Sequence, residues 1–235
     1  EVVTIYKKKG ETPLEALIRL RQERPELVRE RLSYAGRLDP MAEGLLLVLA
    51  GDANYEREKY LGFDKEYTVE ILFGFATDTH DLLGKIVAVG TGTVAIEKIK
   101  ETVESFIGTF EFPYPAYSSK PVNGKPLFEH TRAGNTVPIP KKVCTIYRTN
   151  LESVKEISAK MLQEYIEQSI ALVNGDFRQS EILACWRDQL SKFPLSVYTI
   201  ARVAVMCGSG TYMRVLADEI GKKIGIPACV FSLQR

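Results

Sequence analysis

The stretch "YAGRLDPMAEGLLLVLAG", residues 34–51, sets one acid, Asp39, beside a proline and then runs into "LLLVLA" (45–50). An apolar run this short, bounded by glycines, reads as a buried strand. A carboxylate at the mouth of such a strand is costly to desolvate unless a partner compensates it, so Asp39 calls for a role. Working outward, "VVTIY" (2–6) reads as a strand. "TPLE" (12–15) opens a helix, with Thr12 as N-cap, Pro13 at the first helical position and Glu15 closing a capping box. Asp52 is placed to cap a short helix ending near Leu61. "EYTVEILF" (66–73) alternates, putting Tyr67, Val69, Ile71 and Phe73 on one face. "TDTHDLLGK" (77–85) is a turn before the strand "IVAV", and residues 95–107 form a helix closed by Gly108. A Pro-rich loop, "FPYPAYSSKPVNGKP", leads to the strand "VCTIYRTNL". Residues 154–173 and 179–190 read as two helices. The strand "VYTIARVAVMC" (197–207), the helix "TYMRVLADEIGKKIG" and the strand "ACVFSL" complete the chain. With no regular βαβ repeat, the pattern predicts an α+β fold around a mostly antiparallel sheet.

The 235 residues are 45% hydrophobic and 26% charged, the composition of a soluble globular chain. No apolar run is long enough to span a bilayer, and the first residues lack the order of a signal peptide. The four cysteines (Cys144, Cys185, Cys207, Cys229) include no CxxC pair. They are expected to be reduced, buried thiols rather than zinc ligands. These features predict a cytoplasmic protein with no membrane association. The net charge is +1, but residues 117–148 carry Lys120, Lys125, Arg132, Lys141, Lys142 and Arg148 against Glu129 alone. Tyr117, Phe128 and Tyr147 lie among these charges, a mixture that suits either a nucleic-acid strand or a solvated loop.

Few catalytic groupings fit. His80 and His130 are too few and too far apart for a metal cluster, and nothing matches GxSxG. "GSGTYMR" (208–214) is glycine-rich before a helix but lacks the GK[ST] ending of a nucleotide loop. A helix start of this kind can hold an RNA phosphate or orient Arg214, which on local sequence alone reads as a surface helix residue.

"GRLDPMAEGLL" resembles the catalytic motif of pseudouridine synthases. The x-L-D core is common to several branches, and "GRLD…EGLLL" leans toward the ribosomal small-subunit branch, whose N-terminal S4-type domain has no room here. The "LDP" form is that of the TruB family of tRNA pseudouridine-55 synthases and of dyskerin, and "DKEYTVEILFGFATDTHDLLGKI", "YPAYSSKPVNGKPLFEHTRAG" and "CGSGTYMRVLADEIGKKIG" are similar, in order, to further blocks of the TruB family. The resemblance covers the chain from about residue 2 to 235. It implies a pseudouridine-synthase fold, with residues 1–235 as the catalytic domain, a mixed, mostly antiparallel sheet flanked by helices, and residues 152–192 as a helical insertion. A C-terminal PUA domain is not expected after "SLQR".

The resemblance also implies isomerisation of a flipped-out T-loop uridine in tRNA, without cofactor or metal, by a monomer. Asp39 takes the place of the nucleophile, Tyr67 of the tyrosine that stacks on the base and takes part in proton transfer, and Arg214 of the arginine pairing with the aspartate. Tyr212 and Leu233 match uracil-pocket residues, Asp81 an acid of the site, and Lys7 the lysine of D-K-P-x-G. Lys120, Lys125 and Arg132 are the expected phosphate contacts. Two departures stand out: Tyr34 replaces the histidine of G-H-x-G, a position that helps hold the opened RNA loop, and D-K-P has become "YKK". The competing class is an RNA-binding or RNA-folding protein of the same fold with weak or lost catalysis; the presence of Asp39, Tyr67 and Arg214 favours the enzyme.

Overall fold

A computed structural model of the chain describes residues 1–90 and 93–235. The elements follow in the order β1 (Val2–Lys7), α1 (Pro13–Glu23), β2 (Leu32–Ala35), β3 (Ala42–Ala50), α2 (Arg57–Leu61), β4 (Lys65–Phe73), β5 (Phe75–Thr77) and β6 (Ile86–Val89). Next come α3 (Ile96–Glu104), β7 (Gly108–Pro113), β8 (Pro121–Val122), β9 (Lys125–Pro126), α4 (Leu127–Arg132), β10 (Lys141–Ser158), α5 (Ala159–Ala171), α6 (Gln179–Ser191), β11 (Val197–Cys207), α7 (Met213–Ile224) and β12 (Ala228–Gln234).

The apolar run after Asp39 lies in β3, which is hydrogen-bonded on both edges, as its near-continuous burial requires. The main sheet has the order β1-β3-β12-β4-β11-β10-β7, with β2 also on β3. Its neighbours are antiparallel except β12 beside β3. Tyr67, Val69, Ile71 and Phe73 share one face of β4, as their alternation predicts, and pack with α3 and α7. Leu72, Ile200, Cys229 and Phe231 face the other way and are covered by α5 and α6, whose Trp186 is 1% exposed. α1 closes over β1 and β3. It starts with the expected capping box: Thr12 accepts from the Glu15 N–H at 3.2 Å, and Glu15 accepts from the Thr12 N–H at 2.6 Å. Among the described residues no helix is long and apolar enough to cross a membrane.

Three expectations are corrected. The segment 152–158 is strand, not the start of a helical insertion: β10 runs on to Ser158, paired with β11 from Ser153↔Arg202 to Ser158↔Val197. Its charges find cross-strand partners, Arg202 with Glu152 at 2.9 Å and Lys155 with Glu70 at 2.7 Å. Ser158 then caps α5 by accepting from the Met161 N–H. Long-range pairing here outweighs the helix preference of Glu and Lys. Asp52 caps nothing, because it lies inside the 3₁₀ turn Gly51–Glu56, whose N-cap is Ala50, and the helix ending at Leu61 starts only at Arg57, with Glu56 at its N-cap. The Pro-rich loop contains a small hairpin, β8–β9, and the helix α4. Cys144, Cys207 and Cys229 are buried and Cys185 half-buried, all as free thiols.

Candidate active site

Asp39 lies in a turn leading into β3, where the Ala42 N–H donates to the Asp39 carbonyl at 3.0 Å. Leu38 beside it is 2% exposed and pins the turn to the core. Within β3, Gly44, at φ +121°, lets the strand pass the Arg235 backbone, where any Cβ would stand 2.2 Å from the Arg235 carbonyl. The Asp39 carboxylate therefore has a fixed origin, and it is half-buried.

Arg214 meets it from the first turn of α7. A cation there opposes the helix dipole and is almost fully desolvated, at 4% exposure. It is held by three acceptors: Nε donates to Asp39 Oδ2 at 2.7 Å, Nη1 to the Thr79 carbonyl at 2.8 Å, and Nη2 to the Tyr117 carbonyl at 3.2 Å. Burial works against the charged guanidinium, but the carboxylates of Asp39 and Asp81 outweigh it, so its pKa rises. Arg214 is thus buried and held by three acceptors, where its local sequence reads as surface.

Asp81 is sealed behind the pair. It accepts from Thr79 Oγ1 at 2.6 Å and the Leu83 N–H at 3.0 Å. Desolvation pushes its pKa up, opposed by Arg214 and the Thr79 hydroxyl. Two phenols complete the floor. Burial raises the Tyr67 hydroxyl, and burial together with the Asp39 charge pushes Tyr212 up to about 12, so both stay protonated at neutral pH. The Tyr212 ring meets Tyr114 edge-on at 5.7 Å. Leu233, on β12 beside Val69 and Ala42, forms the apolar wall.

These groups open into a cleft of about 840 Å³. It is lined by Tyr34, Tyr67, Tyr114, Tyr117, Phe128 and Phe177, and by the cations Arg37, Arg57, Lys65, Lys120, Arg132, Lys142, Arg178 and Arg235. Of the residues singled out in the sequence, Asp39, Tyr67, Asp81, Tyr212, Arg214, Leu233, Tyr34, Lys120 and Arg132 all lie on it.

Two of them do not. Lys125 is exposed on β9, away from the lining. Lys7 is fully buried beneath the Asp39 turn, donating to the carbonyls of Ala42 at 2.5 Å and Lys8 at 2.9 Å. Desolvation pulls its ammonium down to about 8, against the pull of Glu11, Asp39 and Glu43. Lys7 therefore supports the turn rather than touching a substrate. His130, with Nε2 2.9 Å from the Val122 carbonyl, is likewise buried structure. Arg37, Arg57, Lys65, Phe177 and Arg178 also line the cleft, with no role assigned to them from the sequence. Arg37 and Lys65 carried a signal, their places inside "GRLDP" and "DKEYTV". The others reach the cleft through tertiary contacts.

A family model for the "TruB family pseudouridylate synthase (N terminal domain)" matches residues 24–177. This chain belongs to the TruB family. Among its relatives is tRNA pseudouridine synthase B of Ligilactobacillus salivarius, 32% identical over all of this chain and 66% of that one. The proteins of the same name from Latilactobacillus sakei and Geobacillus thermodenitrificans are each 30% identical, over 100% of this chain and 65% of theirs. The TruB-family chain described here thus spans 65–66% of the length of these relatives. A solved Cbf5–Nop10–Gar1 complex shares its fold, with a TM-score of 0.59 at 18% identity, over 100% of this chain and 47% of that one. An H/ACA RNP bound to a substrate RNA gives 0.55 at 17%, over 100% and 46%. The TruB-family chain accordingly has the pseudouridine-synthase fold, an α+β architecture around a mixed sheet.

Proposed function

We propose that the chain is a tRNA pseudouridine synthase acting on the T-arm, at uridine 55, with Asp39 as nucleophile. The observation that carries this reading is the Asp39 carboxylate, held at 2.7 Å by buried Arg214 and open to an aromatic, cationic cleft. The tRNA pseudouridine synthase B relatives support the tRNA as substrate.

The reaction is an isomerisation, so no oxidant or co-substrate enters. The glycosidic bond from ribose to N1 of uracil breaks, a bond from the ribose to C5 forms, and the proton lost from C5 is balanced by one gained at N1. Asp39 attacks the nucleoside to free the base. Arg214 sets its guanidinium 2.7 Å from the Asp39 carboxylate in a site that water leaves when RNA binds, and a nearby cation offsets the cost of desolvating a carboxylate. Taking the base out of its stack costs a few kcal/mol, and the Tyr67 ring recovers part of that by stacking. Tyr67 also handles a proton, being protonated at rest. Tyr212 and Leu233 shape the uracil pocket. The rim cations hold phosphates without reading bases, and Tyr34 offers a face for an unstacked base. The cleft is assembled from one chain, and a cytoplasmic monomer is the proposed working form.

The test is incubation with a T-arm transcript, followed by carbodiimide treatment and primer extension. A single stop in the T-loop, absent with Asp39→Asn, is the expected result. RNA binding with no stop would favour an RNA-folding protein instead.

A further inference from the structure

We propose that Arg178, carried by the α5–α6 hairpin, is a positioning residue that fixes the two carbonyls aiming Arg214 at Asp39. This rests on the reading of Asp39 and Arg214 as the reacting pair.

The geometry is one guanidinium holding the supports of another. Arg178 grips Asp78 with both terminal nitrogens, Nη1 to Oδ2 at 2.7 Å and Nη2 to Oδ1 at 3.2 Å. Its guanidinium lies 4.4 Å from the centre of the Tyr117 ring. Asp78 immediately precedes Thr79, and the carbonyls of Thr79 and Tyr117 are the acceptors of Nη1 and Nη2 of Arg214. Two segments distant in sequence are therefore clamped at the places where each contributes a carbonyl to Arg214. A planar fork that stacks and bonds bidentately does this in full, whereas a flexible point charge does it only in part.

Arg178 is itself on a firm support. It stands at the start of α6 with φ +61°, a left-handed conformation uncommon outside Gly, Asn and Asp. Such positions persist where their surroundings over-determine them. Gln179 ties the preceding loop by donating to the carbonyls of Gly175 at 2.7 Å and Val173 at 3.1 Å. The hairpin grips the 77–85 turn a second time, as Trp186 Nε1 donates to the Gly84 carbonyl at 3.1 Å and Glu181 pairs with Lys85. Asp78 is fixed too, accepting from the Lys85 N–H at 2.9 Å. With Asp78 neutralising it, Arg178 has little free charge for a phosphate, which separates it from the open rim cations.

The test compares Arg178→Gln and Arg178→Lys with the full chain. The readouts are the single-turnover rate at saturating T-arm RNA and the dissociation constant across a salt series. A displaced catalytic group slows the chemical step more than it weakens binding. Arg178→Gln is expected to lower the rate about tenfold or more with binding and salt slope unchanged, and Arg178→Lys to restore part of it. Should the glutamine variant fail to fold, the lysine variant carries the same comparison. Because the effect passes through Arg214, the same change in an Arg214→Lys background should cost less than about twofold.

A wild-type rate in both variants would overturn the proposal, as would an equal fractional loss in the Arg214→Lys background. A flatter salt slope with a full rate at saturation would make Arg178 a phosphate contact instead. A wild-type chain that binds the RNA and forms no pseudouridine would overturn the catalytic reading underneath, an outcome distinct from active wild type with indifferent variants.

Discussion

Arg214 on the floor of the cleft and Lys120 on its rim are both cations facing the same space, under opposite regimes. Arg214 is almost wholly out of water, each of its nitrogens bonded to a fixed acceptor. Lys120 is half-exposed, with its ammonium 5.0 Å from the centre of the Tyr114 ring. Removing one partner of a buried, hydrogen-bonded pair costs about 3–5 kcal/mol, whereas an exposed ion pair is worth about 0–1 kcal/mol. On the proposed reading, the floor bears on the chemical step through geometry, and the rim on encounter with RNA through screened charge.

The largest effect expected on this contrast is from Asp39→Asn. An amide of the same shape keeps the packing but is no anionic nucleophile. Turnover should fall below about a hundredth of wild type with RNA affinity within a few-fold. Retained turnover measured in a single-turnover assay would remove Asp39 from the reaction.

Arg214→Lys comes next. Lysine can reach one acceptor but cannot serve Asp39 and two carbonyls in one plane. A loss of about ten- to a hundredfold in turnover is expected, with a small change in binding. A pronounced binding defect at full turnover would move Arg214 to the rim class.

Lys7 extends the contrast to a second buried cation, one held mainly by carbonyls. Its folded pKa of about 8 lies below the ordinary 10.5. Below pH 8 the folded state carries a desolvated charge, so stability is reduced there. As pH rises from 8 toward 10.5 the unfolded chain binds more protons than the folded one, so stability rises. Chemical denaturation of wild type relative to Lys7→Met should show wild type gaining about 2 kcal/mol between pH 7.5 and pH 10. A flat difference would mean that Lys7 keeps an ordinary pKa.

The smallest effect on turnover belongs to the rim. Lys120→Ala with Lys142→Ala should flatten the slope of log affinity against log salt by roughly 1.4–1.8, by analogy with DNA, leaving turnover at saturating RNA unchanged. Lys125→Ala, outside the cleft, should leave that slope alone. Equal slopes in all three proteins would move the RNA path toward Arg37, Arg57 and Arg235.

Much of this site was legible because short motifs carry several chemical roles at once. "GRLDP" placed Asp39 before a buried strand, "KEYTV" placed Tyr67 on the inward face, and "GTYMR" placed Arg214 at a helix start. The basic segment 117–148 was legible as charge but not as contacts. Arg132 is engaged by the Asp176 carbonyl and, at 3.8 Å, its carboxylate. Lys125 points elsewhere, and sequence spacing reports neither fact. Lys7 shows the reverse: a lysine in a polar run ends up fully buried because β1 pairs with β3 at Lys7↔Gly44.

What the sequence determined by itself was local: strand and helix periods, the capping box at Thr12, and the residue types of the floor. Backbone sterics and hydrophobic period act over a few residues and can be read there. What only the tertiary structure decided was everything that depends on who faces whom. Strand pairing extended β10 through a segment that reads as helix. The exposed second face of β4, β11 and β12 drew α5 and α6 across it. That docking carried Arg178 to within bonding distance of Asp78, 100 residues away in the chain. Burial and electrostatics depend on separation in space, which the order of residues does not state.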